Sequence, residues 1–118
     1  MTTKEVCVMP NKKKLFVSLP MRGLTEEEIL EKQKKILEPY KDEYELMNNI
    51  FREDPPNPNN PVWYLGGSIQ MLGDADLVIF ASDWADASGC RIERMVCALY
   101  AIKYVEEESK LDFIEERR

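Results

Sequence analysis

Glu93, Asp83 and Ser88 are the residues whose types and spacing point most directly to chemistry. They share one stretch, Asp74 to Ile102. In it the apolar run Leu77-Val78-Ile79-Phe80 gives way to a polar loop, Ala81 to Cys90, and Arg91-Ile92-Glu93-Arg94 then opens an amphipathic segment. A carboxylate in a first helical turn meets free backbone N–H groups and the positive end of the helix dipole. Those surroundings hold it ionised, the form in which a carboxylate is a nucleophile. First-turn acids also stabilise helices with no further role, so Glu93 is singled out by its company. Asp83 and Asp86 lie just before it, and one attacking carboxylate paired with one proton-donating carboxylate is how a glycosidic bond is split with retention. The chain contains no histidine, so acid–base and nucleophilic work falls to carboxylates, tyrosines, lysines or cysteines.

The neighbours of Glu93 carry two readings each. Ser88 serves as an N-cap with Gly89 in a turn, or the Ser88 hydroxyl and the local N–H groups hold an anion at the helix start; both can hold together. Trp84 offers a face for a planar base, or plugs the loop from beneath. Arg22-Gly23, after the first apolar run, pairs a bidentate donor for phosphate or carboxylate with a residue that permits close approach; a plain surface arginine is its competitor. Cys90 and Cys97 read as packing residues, although Cys90 near a helix start also suits a reactive thiol.

The elements that must position these groups alternate. Lys14 to Leu19 reads as a buried strand ended by Pro20. Thr25 and Glu28 form a capping box that starts a helix over Glu26 to Glu38, in which Gln33 interrupts the apolar spacing. A short strand over Tyr44 to Met47, a proline-rich loop over Arg52 to Pro61 and a helix over Val62 to Leu72 follow. Leu77 to Phe80 is the next strand. The helix after it is expected to bury Ile92, Met95, Val96, Leu99 and Ile102. Lys103 to Glu106 reads as a last strand, with Leu111, Phe113 and Ile114 in a short closing helix; Val6 to Met9 is an extra edge strand or a loose tail. This β/α alternation predicts one three-layer α/β/α domain, Rossmann-like or flavodoxin-like, with a parallel sheet of about four or five strands. Its ligand site belongs at the carboxyl rim between the first and third strands, where the strand order reverses.

Composition narrows the function. The chain has 118 residues, 44% hydrophobic and 32% charged, which suits one globular core. A net charge of −6 argues against long nucleic acid, whose phosphates demand neutralisation. Three cysteines without Cys-x-x-Cys spacing, and no histidine, argue against a metal centre or a disulfide framework. No apolar run is long enough to span a membrane and none follows Met1-Thr2-Thr3-Lys4-Glu5 as in a signal peptide, so a cytoplasmic address is expected.

Four blocks together carry a resemblance: Ser18-Leu19-Pro20-Met21-Arg22-Gly23, Val62-Trp63-Tyr64-Leu65-Gly66, Ala75-Asp76-Leu77-Val78 and Gly89-Cys90-Arg91-Ile92-Glu93. They resemble an uncharacterised bacterial and phage family that is similar to nucleoside 2-deoxyribosyltransferases and deoxynucleoside 5'-monophosphate N-glycosidases. The resemblance implies that Glu93 is the nucleophile on deoxyribose and that Asp83 assists at the base or sugar. It implies a substrate pocket drawn from Ser18, Met21, Arg22, Gly23, Trp84, Asp86, Ser88 and Gly89. It further implies a small nucleoside or nucleotide as substrate, no cofactor or metal, and a homo-oligomer. Cys90 replaces the usual threonine, Ala87 stands where an aspartate often precedes Ser-Gly, and the first-strand loop lacks the expected aromatic. A nucleotide-binding or sensing protein without turnover is the alternative expectation.

Overall fold

The structure is a computed structural model that describes residues 12–50, 55–60 and 62–107. The readings made for Val6 to Met9 and for Leu111, Phe113 and Ile114 lie outside those residues. Four strands, β1 (Lys13–Ser18), β2 (Tyr44–Leu46), β3 (Leu77–Phe80) and β4 (Tyr104–Glu106), form one parallel sheet in the order β2-β1-β3-β4. Three α-helices connect them: α1 (Glu26–Leu37), α2 (Trp63–Leu72) and α3 (Ser88–Leu99). This is a small α/β fold of Rossmann-like or flavodoxin-like type.

The handedness of crossovers decides which helix covers which face. Parallel β-α-β connections are right-handed almost without exception. The chain steps from β1 to β2 in one direction, and from β2 past β1 to β3 and on to β4 in the other. The helix of the first step must therefore lie on one face, and those of the later steps on the opposite face. The cores follow that rule. Leu15, Val17, Leu19, Leu77 and Ile79 form one buried cluster, against which Ile36 and Leu37 of α1 pack. Phe16, Val78 and Phe80 form the other, with Leu72 of α2 and Cys97 of α3. Strand residues alternate between faces, so Ser18 shares the parity of Phe16 and points toward α2 and α3.

Local signals explain the ends of the elements. Thr25 Oγ1 accepts from the Glu28 N–H at 3.1 Å, while Glu28 Oε1 accepts from the Thr25 N–H at 2.9 Å, the reciprocal capping box expected there. The expected helix ends at Leu37, and Pro39 sits in a 3-10 turn, Glu38–Tyr40. Gln33, which breaks the apolar pattern of α1, is fully buried. Its Nε2 donates to Asn49 Oδ1 at 2.8 Å, and Asn49 Nδ2 donates to the Val17 carbonyl at 3.2 Å. One register step earlier the Met47 N–H bonds the Leu15 carbonyl at 2.8 Å. The Asn49 amide thus continues the β2 ladder by a side chain after the strand has ended.

Two expectations for α3 are corrected. The helix starts at Ser88, three residues before Arg91, and Ala87 is its N-cap, so Ser88 and Gly89 are helical rather than cap and turn. Its inward face is Cys90, Glu93 and Cys97, with Val96 and Ile102 partly buried, whereas Ile92, Met95 and Leu99 of the expected buried stripe are exposed. Cys90 and Cys97 are the small side chains on the face that α3 turns inward.

The end of α3 is a Schellman turn: the Ile102 N–H bonds the Cys97 carbonyl at 3.0 Å, and Ala101 takes φ 58°. No glycine marks this stop, which is why periodicity carried the helix on to Ile102. A left-handed alanine costs about 1–2 kcal/mol in local sterics. Ala101→Gly is therefore expected to stabilise the fold by about 1 kcal/mol, the gain being reduced by the added freedom of the unfolded chain. Urea unfolding of the two proteins measures it.

Candidate active site

Parity on β1 and rotation of α3 meet at one contact. Ser18, the last residue of β1, and Glu93, in the second turn of α3, are both buried, and Ser18 Oγ donates to Glu93 Oε1 at 2.6 Å. Glu93 is thus not in the first turn, as expected from sequence, but one turn deeper, with 7% of its surface exposed. The helix start does not govern its charge; burial does. Desolvation raises its pKa above the ordinary glutamate value, and the Ser18 hydrogen bond works in the opposite direction.

A hollow of about 360 Å³ opens beside this pair. Its floor is the end of β1 and the segment after it (Ser18, Leu19, Pro20, Met21), one wall is Asn49 and Ile50 after β2, another is Tyr64, Leu65 and Ser68 of α2, and the last is Ala87, Gly89, Cys90 and Glu93. That volume is at the lower end for small-molecule sites, and the mixture of apolar surface with a few polar groups is usual for them. Glu93 Oε1 is occupied by Ser18. Oε2 makes no hydrogen bond among the described residues, and Gln33 Oε1 is the one side-chain atom there both enclosed and unpartnered. Oε2 therefore keeps access to the hollow.

Cys90 lies against the same pair. Burial pushes its thiol up to about 11, Ser18 opposes, and the negative fields of Glu93 and Asp83 add to the rise. Cys97 is likewise held near 11, chiefly by burial. Both are thiols at neutral pH, so neither competes with Glu93 as a nucleophile. The ambiguity left by sequence at Cys90 is resolved toward packing and lining.

The candidate residues divide. Ser18, Met21, Gly89 and Glu93 line the hollow. Arg22, Gly23, Trp84, Asp83, Asp86 and Ser88 are not among its lining residues, and all of them except Trp84 are exposed. Gly23 is placed at φ 84°, a conformation that suits glycine and turns the chain toward α1. Asp83 precedes, and Asp86 ends, the 3-10 turn Trp84–Asp86 that leads into Ala87. The Trp84 ring is partnered from within: it packs edge-on to Phe80 with centroids 5.8 Å apart, and the Arg94 guanidinium lies 5.8 Å from its centre. Arg94 also covers Tyr104 at 4.1 Å and bonds Glu106, which ties β4 to α3.

Sequence reasoning passed over Asn49 and Ser68, and gave Tyr64 no role of its own. Asn49 follows a strand at the carboxyl rim, so the rim rule alone could have flagged it. Ser68 has no signal apart from its place on α2 next to Gly66-Gly67.

Comparison with known proteins returns no match among family models, curated proteins or solved structures. No helix among the described residues is long and apolar enough to cross a membrane. No cluster of potential metal ligands occurs among them either.

Because Glu93 takes up a proton more readily in the folded chain than in the unfolded one, its contribution to stability is largest below the ordinary glutamate range. It declines as pH rises through the elevated folded value. Glu93→Gln keeps the shape and a partner for Ser18 without the charge. The variant is expected to melt a few degrees above the native protein at pH 8, and the gap should close by pH 4; thermal unfolding across pH measures this. In Ser18→Ala the Glu93 carboxyl should titrate higher still, as read by carboxyl-carbon NMR.

Proposed function

We propose that this protein breaks or transfers the N-glycosidic bond of a 2'-deoxynucleoside, or of its 5'-monophosphate, with Glu93 as the nucleophile. The observation that carries the reading is a buried carboxylate held through one oxygen by Ser18 with the other open to a small hollow. The family resemblance of the Ser18 to Gly23 and Gly89 to Glu93 blocks supports the same chemistry. A water-poor surrounding leaves an ionised carboxylate less solvated and more reactive toward an electrophilic carbon, at the expense of its ionised fraction.

In this reading Glu93 Oε2 attacks the anomeric carbon of the sugar as the bond to the base nitrogen breaks. The bonding pair leaves with the base, which takes up a proton. Asp83 or Asp86, exposed on the loop before Ala87, supplies that proton directly or through water. The product is a glycosyl ester on Glu93. Water, or the nitrogen of a second base, then attacks the same carbon and returns the pair to the carboxylate, giving hydrolysis or transfer. Ser18 holds the carboxylate in place at both steps. Tyr64, Asn49 and Ser68 are the uncharged polar side chains besides Ser18 that line the hollow where sugar and base would sit. No lysine or arginine is among the lining residues, so recognition of a 5'-phosphate falls to Arg22, next to the lining Met21. No cofactor enters this scheme, and a homo-oligomer of cytoplasmic address is its expected form.

One observation favours a second reading. Glu93 is the single carboxylate among the described lining residues, whereas glycosidic cleavage ordinarily uses two. A nucleotide-binding or sensing protein without turnover would look the same. Chromatography for free base after incubation with deoxynucleosides and their monophosphates separates the two readings. Base release is expected from the native protein and is expected to fall at least a thousandfold in Glu93→Ala. Stabilisation by nucleotides with no release supports the binder, and equal release by the variant removes Glu93 from the mechanism. The acid limb of kcat/KM should also lie above the ordinary glutamate pKa, because ionised Glu93 is required.

A further inference from the structure

The hollow beside Glu93 is one-sided in charge. Glu93 is the single carboxylate among its described lining residues, and no lysine or arginine is among them. Arg22 and Arg91 are exposed, and Arg94 is engaged with Glu106 and the Tyr104 ring. The negative fields of Glu93 and Asp83 both reach the lining residue Cys90. Tyr64 supplies the one aromatic ring among the described lining residues, and an aromatic face attracts cations.

We infer that the N-glycoside fitting this site carries a base that is already positively charged, an N7-alkylated purine or an N-linked pyridinium, which leaves as a neutral molecule without a proton donor. The inference rests on the proposed glycosyl transfer to Glu93. A neutral base that takes the bonding pair becomes an anion unless it is protonated. Asp83 and Asp86, the donors available to the scheme above, are exposed and stand outside the lining. The Cys90 thiol, held at about 11, is a poor donor at neutral pH. An anion expelled into an apolar hollow with no cation to receive it is costly.

A cationic base reverses each of these demands. Glu93 Oε2 bonds the anomeric carbon, the bond from that carbon to the base nitrogen breaks, and the pair neutralises the ring. A carboxylate and a cation thereby become a neutral ester and a neutral base, the direction of change that water-poor surroundings favour. Water then attacks the same carbon, the ester pair returns to Glu93 and one proton goes to solvent, so hydrolysis releases one proton per turnover. The cation also answers the burial of Glu93, since an opposite charge within a few ångströms favours the ionised form that desolvation opposes.

The test compares 7-methyl-2'-deoxyguanosine and 1-(2-deoxyribosyl)nicotinamide with neutral 2'-deoxyguanosine on the full chain at pH 8. At least one cation is expected to exceed the neutral nucleoside in kcat/KM by about a hundredfold or more, the span that a general acid would otherwise close. The two cationic substrates separate a purine from a pyridinium preference, and a pH indicator in weak buffer should report one proton per base released. Binding is read separately by calorimetry, with the carbocyclic analogues of 7-methyl-2'-deoxyguanosine and 2'-deoxyguanosine, which have no glycosidic bond to break. The native chain is expected to hold the cationic analogue at least about tenfold more tightly than the neutral one, and in Glu93→Gln the ratio should fall toward one. Equal cleavage of neutral and cationic substrates overturns the inference and leaves Glu93 as nucleophile untouched. A charge preference that survives in Glu93→Gln overturns it too, because another group would then read the charge. If none of the three is cleaved, the glycosyl reading fails and this inference fails with it.

Discussion

A carboxylate removed from water must find a partner or give up its charge. In this protein that demand falls on Glu93, and the Ser18 hydroxyl meets it with one hydrogen bond of 2.6 Å. The contact joins the end of the central strand β1 to the second turn of α3, residues 75 positions apart in sequence. It can form only if β1 places Ser18 on the face covered by α3, and only if α3 turns Glu93 inward. The first condition comes from strand alternation and crossover handedness. The second is met together with the burial of Cys90 and Cys97, two small residues three and four positions away from Glu93 on the same side of the helix. The polar contact does not organise the fold; it is the place where two apolar packings leave a gap.

A second buried polar pair borders that gap through Asn49. Gln33 and Asn49 sit on the α1 side of β1, where an all-apolar core would have been simpler to satisfy. Because Asn49 must donate to the Val17 carbonyl, its oxygen is left to accept from Gln33, and Gln33 Oε1 is left without a donor. The cost of that orphaned acceptor falls in the range of about 1–3 kcal/mol. In return the chain after β2 is pinned to β1 as the strand ladder ends, with Asn49 at the wall of the hollow. Ser18 at the end of β1 and Asn49 after β2 thus trade stability for a shaped polar opening. Such local expense is characteristic of sites rather than of scaffolds.

Much of this could be read in advance, and the failures share one origin. The strands, the capping box at Thr25 and Glu28, the β/α alternation and the carboxyl-rim placement of Ser18 and Glu93 follow from patterns confined to a few adjacent residues. Helix rotation is not such a pattern. Ile92, Met95 and Leu99 are spaced as a core stripe, and Cys90, Glu93 and Cys97 look too polar or too small to be one. Amphipathicity states that a helix has an apolar side; it does not say which of two sides the sheet will take. The start of α3 was obscured for a related reason, since Ser88-Gly89 has cap and turn chemistry yet enters the helix. Its end was obscured by Ala101, which holds a conformation that glycine would announce.

The error in rotation is itself informative. A helix with apolar residues on both sides has one side to give to the sheet and one left over. Had the expected stripe been buried, Glu93 would have pointed away from β1, Ser18 would have lacked its partner, and no polar hollow would exist at the rim. The side turned inward is the one that carries the ionisable group, so α3 sacrifices apolar burial to present it. The larger side chains remain on the surface, where the hydrophobic effect still acts on them. Met95 and Leu99 therefore stay in solvent, 62 and 72% exposed. On that argument the burial of Glu93 and the exposure of Met95 and Leu99 are two consequences of one rotation.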